Sequence, residues 1–164
     1  TLNAAANNLT ILPTWRDLES LEELDLRQNK LFALPESIGD LDSLMKLDLS
    51  QNDLGDLPYV LGYLENLEYL HVDQNRLTEL PESFGLLEKL VMLDVNHNAL
   101  LYLPDSLGGM MNLKYLYAEN NQLHYLPDSF VNLTSLVELQ LQDNLLAGLP
   151  KSLGNVVKLE QLGA

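Results

Sequence analysis

The chain has 164 residues, a formal net charge of −15, 46% hydrophobic residues, 20% charged residues and no cysteine. This charge argues against nucleic acid or an anionic membrane as a partner, because both recruit Lys and Arg, and it favours a basic partner or one whose binding does not depend on charge. Disulfides and thiolate metal sites are excluded, and no apolar run approaches the roughly 18 residues needed to span a bilayer.

The dominant feature of the sequence is a repeat marked by Leu-Pro pairs. All seven prolines follow a leucine, and they are spaced by 22 residues once and then by 23 residues five times. Alignment on these prolines gives the pattern LxxLxLxxNxLxxLPxSxGxLxxL, as in Leu21 to Ser43 and Leu67 to Lys89. We predict one domain over residues 1–164, with seven repeats and the start of an eighth. Because terminal repeats need polar caps and none is recognisable, we expect a fragment of a longer protein.

Each repeat begins with alternating leucines, as in Glu23-Leu24-Asp25-Leu26-Arg27, which predicts a strand with one buried face. An asparagine then recurs six residues before every proline. An amide held among buried leucines needs hydrogen-bond partners, so we predict a structural ladder bonded to the backbone of its own and neighbouring coils. The ladder consists of Asn7, Asn29, Asn52, Asn75, Asn98, Asn121 and Asn144.

The segment after each proline predicts a short helical or 3₁₀ return with one apolar residue pointing inward. These residues are Ile38, Leu61, Phe84, Leu107, Phe130 and Leu153. The glycines that recur in the same segment are expected to serve backbone turns; they are Gly39, Gly62, Gly85, Gly108 and Gly154. Since one repeat cannot bury its own apolar face, the repeats must stack. The pattern therefore predicts an α/β solenoid, a horseshoe with a parallel β-sheet on its concave face.

Stretches such as LDLRQNKLFALPESIGDLDSL and LYLPDSLGGMMNLKYL closely resemble the leucine-rich repeats of the intracellular Ras-suppressor and Scribble/Erbin class. The resemblance covers essentially the whole chain. It implies a leucine-rich repeat solenoid that acts as a scaffold or adaptor in small-GTPase or polarity signalling. We accordingly expect a cytoplasmic protein-interaction module.

Function is expected at the variable strand positions, because the repeated positions are occupied by packing. A group of aromatic, apolar and acidic residues falls at the centre of the predicted concave face. The predicted partner-binding residues are Tyr69, His71, Asp73, Met92, Asp94, Tyr115, Tyr117 and Glu119. Tyrosine and methionine are enriched at interface cores, and a polar rim usually surrounds them. The alternative is that tyrosine, a good strand former, merely covers the sheet.

No catalytic, cofactor or metal site is predicted from the histidines. Equivalent positions of successive repeats form columns across the predicted sheet, and His71, His97 and His124 occupy three different columns. Only His71 and Asp94 are expected to lie close enough for a salt bridge. An enzyme would need a nucleophile, base or metal in one concave pocket.

Two other functions remain open at this point. The solenoid could be a structural subunit or spacer, with Tyr59, Val60 and Tyr63 as an exposed apolar spot on the convex side. It could also be an extracellular ligand-binding receptor fragment, which glycosylation of the Asn-Leu-Thr sequons at Asn8 or Asn132 would support.

Overall fold

A computed structural model describes residues 1–15, 18–156 and 158–163 of the chain; residues 16, 17, 157 and 164 of the predicted domain lie outside it. In the described part, eight short strands form one parallel sheet in sequence order. The strands are β1 (Leu2–Asn3), β2 (Glu23–Asp25), β3 (Lys46–Asp48), β4 (Tyr69–His71), β5 (Met92–Asp94), β6 (Tyr115–Tyr117), β7 (Glu138–Gln140) and β8 (Gln161–Gly163). The predicted solenoid with a parallel sheet is confirmed.

The return segments are 3₁₀ helices of five residues, one after each of six prolines. They are η1 (Glu36–Asp40), η2 (Tyr59–Tyr63), η3 (Glu82–Leu86), η4 (Asp105–Gly109), η5 (Asp128–Asn132) and η6 (Lys151–Asn155). Each proline has extended backbone and starts its helix through its carbonyl, as in the bond from the Ile38 N–H to Pro35 O at 3.0 Å. No helix among the described residues has the length and apolar character required to cross a membrane.

A single apolar core runs between the sheet and the 3₁₀ helices. The middle leucine of each interior strand is buried, and Leu47, Leu70 and Leu93 have no exposed surface. Five of the predicted inward-pointing helix residues are likewise fully buried, and Leu153 is 7% exposed. Burying one such side chain stabilises the fold by about 1.5–3 kcal/mol, so stability accumulates from coil to coil.

The expectation that the recurring glycines serve backbone turns is wrong. No glycine in the described chain has a positive φ. A Cβ at Gly108 would instead lie 2.8 Å from Ser129 Cβ, and one at Gly62 would lie 2.6 Å from Ser83 Oγ. Gly39, Gly62, Gly85 and Gly108 therefore allow the 3₁₀ helices of successive coils to pack closely, whereas nothing lies within 4 Å of the Cβ position of Gly154. Positive φ occurs instead at the residue before each ladder asparagine: Ala6, Gln28, Gln51, Gln74, His97, Asn120 and Asp143.

Replacing Gly85 by alanine is expected to lower the free energy of unfolding by about 1–3 kcal/mol, because the added methyl overpacks a tight contact. A Cβ there would lie 2.9 Å from Ser106 Cβ. Gly55→Ala is the matched control, since nothing lies within 4 Å of its Cβ position. Urea titrations of both variants test this prediction, and an equal loss of stability in the two would contradict close packing as the reason for the glycine.

Candidate functional site

The structure brings the eight predicted partner-binding residues onto one face of the sheet. The register pairs Tyr69 with Met92 and Met92 with Tyr115 in one column. It pairs His71 with Asp94 and Asp94 with Tyr117 in the next. Asp73 and Glu119 follow two residues after His71 and Tyr117, and all eight residues are partly exposed. Since neighbouring strands lie about 4.8 Å apart, these side chains are adjacent across three coils.

The ladder asparagines hold the end of each strand in place beneath this face. Asn52 Nδ2 donates to the carbonyls of Leu49 and Ser50 in its own coil, at 2.9 and 3.2 Å, and to Leu26 O of the preceding coil at 3.1 Å. Its Oδ1 accepts the Leu31 N–H at 3.0 Å. The same four bonds occur at Asn29, Asn75, Asn98, Asn121 and Asn144.

Asn7 differs from the other ladder asparagines. It is exposed and donates only to the carbonyls of Ala4 and Ala5, both at 3.0 Å. No coil precedes it among the described residues, so it has no neighbour to bond. Asn7 thus provides an internal comparison for the interior members of the ladder.

The acidic residues of the face lie close together in a partly desolvated environment. Burial raises the pKa of Asp94 to about 6, against the hydrogen bond from the Asn96 N–H and the charge of His71, which lower it. Burial also raises the pKa of Asp73, and the charge of Asp48 adds to this increase. The pKa of Tyr117 is raised first by burial and then by Glu138, which accepts its hydroxyl hydrogen bond at 3.4 Å. The centre of the face is therefore a place where a positive group would be favoured.

Basic side chains occur at the N-terminal end of the sheet and are already paired. Lys46 Nζ lies 3.0 Å from Glu23 Oε1 and 5.8 Å from the centre of the Tyr69 ring. Arg27 contacts the carboxylates of Asp25 and Asp48, at 3.5 and 3.9 Å. By contrast, the concave segments 69–73, 92–96 and 115–119 contain no Lys or Arg.

A depression of about 430 Å³ opens on the concave face between β1 and β4. Its lining extends from the predicted residues Tyr69 and His71 to Glu23, Asp25, Lys46 and Asp48, among others. The sequence analysis did not include these last four among the predicted binding residues. The sequence specifies the columns in which these residues lie, but only the packing of their side chains shows that the surface is hollow there.

His71, Asp73 and Asp94 form a group of three that the sequence analysis did not predict. Their possible ligand atoms all lie within 4.8 Å of one another. The expected salt bridge between His71 and Asp94 is not among those formed in the described part of the chain. The three side chains form a triangle across β4 and β5 instead of an isolated ion pair.

Two further aromatic groups lie away from the concave columns. In the segments between the strands and the prolines that follow them, the Tyr102 hydroxyl donates to Glu79 Oε2 at 2.9 Å, and Tyr125 is 58% exposed. On the convex side, Tyr59 and Tyr63 make an edge-to-face contact with ring centres 5.8 Å apart. Val60 packs against the core and is only partly exposed, so the two tyrosines provide most of the exposed surface of the predicted convex spot.

Replacing Asp94 by asparagine is expected to stabilise the fold at pH 7 more than at pH 4. The pKa of folded Asp94, about 6, exceeds its ordinary value of 3.8. The folded state thus binds the proton more tightly than the unfolded state. Stability is lost as the pH rises from the ordinary pKa of 3.8 through the folded pKa of about 6. Asparagine can still accept the Asn96 N–H. After allowance for solvent screening, we expect a gain on the order of 1 kcal/mol at pH 7.

Urea unfolding in EDTA at pH 4 and pH 7 measures this difference. The exposed Asp42 provides the control variant Asp42→Asn. A gain for Asp94→Asn that is the same at both pH values would contradict the electrostatic explanation.

The family to which these repeats belong is shown by sequence. The profile described as "Leucine rich repeat" matches residues 20–77, 42–100 and 65–123, which together cover more than half of the chain. The chain belongs to the leucine-rich repeat family. Proteins of this family are typically interaction modules without catalytic activity. No curated protein sequence matches the chain.

Several solved structures are similar to this one. A leucine-rich repeat protein of Leptospira interrogans has 35% identity and a TM-score of 0.91, over 96% of this chain and 40% of that chain. The functional domain of InlJ from Listeria monocytogenes, which includes a cysteine ladder, has 26% identity and a TM-score of 0.85, over 98% and 33%. The plant peptide hormone receptor RGFR1, in complex with RGF2, has 30% identity and a TM-score of 0.81, over 88% and 24%. The chain thus spans two fifths or less of each.

Proposed function

We propose that the concave face of this leucine-rich repeat domain binds a protein partner with a basic and apolar surface. The observation that carries the proposal is the in-register group Tyr69, Met92, Tyr115 and Tyr117, which is partly exposed and lies among acidic residues. The tyrosines and methionine supply apolar contact area, and the surrounding carboxylates favour Lys or Arg on the partner. No basic residue of segments 69–73, 92–96 or 115–119 competes for them.

The dimensions of the sheet also support this function. Eight strands about 4.8 Å apart make a face about 34 Å long, which accommodates an interface of about 800 Å² per partner. The receptor RGFR1, similar to this chain, forms a complex with RGF2. We therefore propose that the chain is the interaction module of a scaffold or adaptor.

We propose that the protein is cytoplasmic and acts in small-GTPase or polarity signalling. This proposal is supported by the resemblance to the intracellular Ras-suppressor and Scribble/Erbin repeats and by a chain without cysteine. The similarity to a plant receptor favours the extracellular alternative. Both sequon asparagines, Asn8 and Asn132, are exposed. A glycan mass on either residue of the protein isolated from its own cells would support the extracellular alternative, and unmodified asparagines together with cytosolic recovery would support the scaffold.

Capture of partners from lysate of the cells that make the protein tests the proposed function. The bait is compared with a concave variant, Tyr69→Ala/Tyr115→Ala/Tyr117→Ala, and with a convex variant, Tyr59→Ala/Tyr63→Ala. Interface tyrosines commonly cost more than 1 kcal/mol each on truncation, so the concave variant should bind at least about 100-fold more weakly. The convex variant should bind like the parent, provided that all three proteins have the same melting temperature.

The convex comparison also tests the second candidate function, that of a structural subunit. Tyr59 and Tyr63 are 54% and 52% exposed, and a groove of about 530 Å³ beside them is lined by Tyr63, Leu86 and Lys89, among others. Exposed apolar surface of this kind marks contact sites in assemblies. Loss of partners by the convex variant alone would favour this function and contradict the concave one.

A further inference from the structure

The triangle of His71, Asp73 and Asp94 has the donor set of a metal site. One imidazole and two carboxylates can all present ligand atoms to a single point, because those atoms lie within 4.8 Å of one another. Zinc binds imidazole nitrogen and carboxylate oxygen at about 2.0–2.2 Å, which places neighbouring ligands about 3.3 Å apart. Side-chain movements of about 1.5 Å would bring atoms at the 4.8 Å limit to that spacing. The imidazole distinguishes this group from an ordinary acidic patch.

The backbone that carries the three side chains is held by the sheet. His71 lies directly opposite Asp94, and the Val72 N–H between His71 and Asp73 donates to Asp94 O at 2.9 Å. On the other side, the Gln51 N–H donates to Asp73 O at 2.9 Å. Ligands on fixed strands do not need to be brought together from a flexible loop when the ion binds, which reduces the entropic cost of binding.

The charges around the triangle call for a cation. Asp48 lies directly opposite His71 in the sheet, and Glu119 follows two residues after Tyr117, which lies opposite Asp94. Neither Asp73 nor Asp94 forms a salt bridge with a Lys, Arg or His within the described ranges. Arg27 contacts Asp48, but no Lys or Arg in the described ranges contacts Asp73 or Asp94, so a divalent ion bound between them would offset their negative charge.

We propose that His71, Asp73 and Asp94 bind a divalent transition-metal ion of the zinc class. Three protein ligands leave at least one coordination position open toward the concave surface, as in zinc sites that keep a water. A mixed imidazole and carboxylate set favours Zn²⁺ over Mg²⁺ and Ca²⁺, which prefer oxygen ligands alone. These three residues also belong to the proposed binding face, but the titration with metal needs no protein partner, so its outcome is separate from the test of the proposed function.

Isothermal titration of the chelator-treated, untagged full chain with ZnCl₂ tests the site. The titration is done in excess MgCl₂, which saturates weak carboxylate sites without occupying imidazole. We expect one ion per chain, with affinity reduced at least about 10-fold by His71→Asn and by Asp94→Asn. His97→Asn and His124→Asn remove exposed histidines of the next coils and should bind within about twofold of the parent.

Co²⁺ substitution gives a second readout that does not depend on the heat of binding. Its visible absorption should appear with the parent and disappear with His71→Asn, while circular dichroism and melting temperature in EDTA show that the variant is folded. Absence of saturable Zn²⁺ binding by the parent would overturn the proposal. So would undiminished binding by His71→Asn, or loss of binding in the His97→Asn or His124→Asn control.

Discussion

Replacing Asn52 by alanine is expected to lower the free energy of unfolding by about 3 kcal/mol, because it removes four hydrogen bonds and leaves a buried amide without a partner. The three carbonyls that Asn52 contacts retain other donors. Leu26 O still accepts Asn29, Leu49 O still accepts Asn75, and Ser50 O still accepts the Gln28 N–H. The Leu31 N–H, in contrast, loses the bond to Asn52 Oδ1 that is its described partner.

Asn7→Ala is the matched control for this prediction. Asn7 occupies the same repeat position but is exposed and makes two bonds within its own coil. Its replacement should cost less than about 1 kcal/mol, as is usual for exposed positions. Equilibrium urea unfolding followed by circular dichroism measures both values. A similar loss for the two variants would mean that the bonds between coils contribute little to stability.

Replacing Phe84 by alanine is expected to lower the free energy of unfolding by about 3–5 kcal/mol, through lost transfer free energy and the cavity left behind. The ring lies in η3, has no exposed surface, and packs in the core between neighbouring coils. In a linear array, such a cavity weakens the contacts with the coils on either side, so unfolding should also become less cooperative.

Phe32→Ala removes the same side chain from a position that is 57% exposed. We expect it to cost less than about 1 kcal/mol. Comparison of the two denaturation midpoints and slopes checks the prediction. If Phe84→Ala were tolerated as well as Phe32→Ala, the inward orientation of the 3₁₀ helices would be wrong.

The sequence was sufficient to predict the strands, their register and the inward-pointing side chains. The reason is that the spacing of the prolines repeats, so each strand must pair at the same offset; the pairing of Leu47 with Leu70 and of Leu70 with Leu93 confirms this. The buried strand residues followed from alternation, and the buried helix residues followed from their fixed position after each proline.

Features that depend on side-chain packing or on backbone angles were predicted less well. The recurrence of Gly62 and Gly85 showed that glycine was required, but not whether its conformation or its small size was the reason. The positive φ of His97 and Asn120 was not evident, since the repeat pattern specifies the spacing of residues and not their backbone angles.

The convergence of His71, Asp73 and Asp94 was missed for a related reason. Their columns were known, but the distance between side chains in different columns depends on rotamers, which a repeat pattern does not specify. The hollow lined by Glu23, Lys46 and Asp48 arises in the same way, from the shape of neighbouring side chains.

Site-specific photocrosslinking tests the central claim, that the concave face is the binding surface, most directly. Benzoylphenylalanine is placed at Tyr115 on the concave face or at Tyr63 on the convex face, and the protein is irradiated in lysate of its own cells. The account predicts a discrete covalent adduct from position 115, which is lost when Tyr69 and Tyr117 are also replaced by alanine, and no adduct from position 63. An adduct from position 63 alone would contradict it.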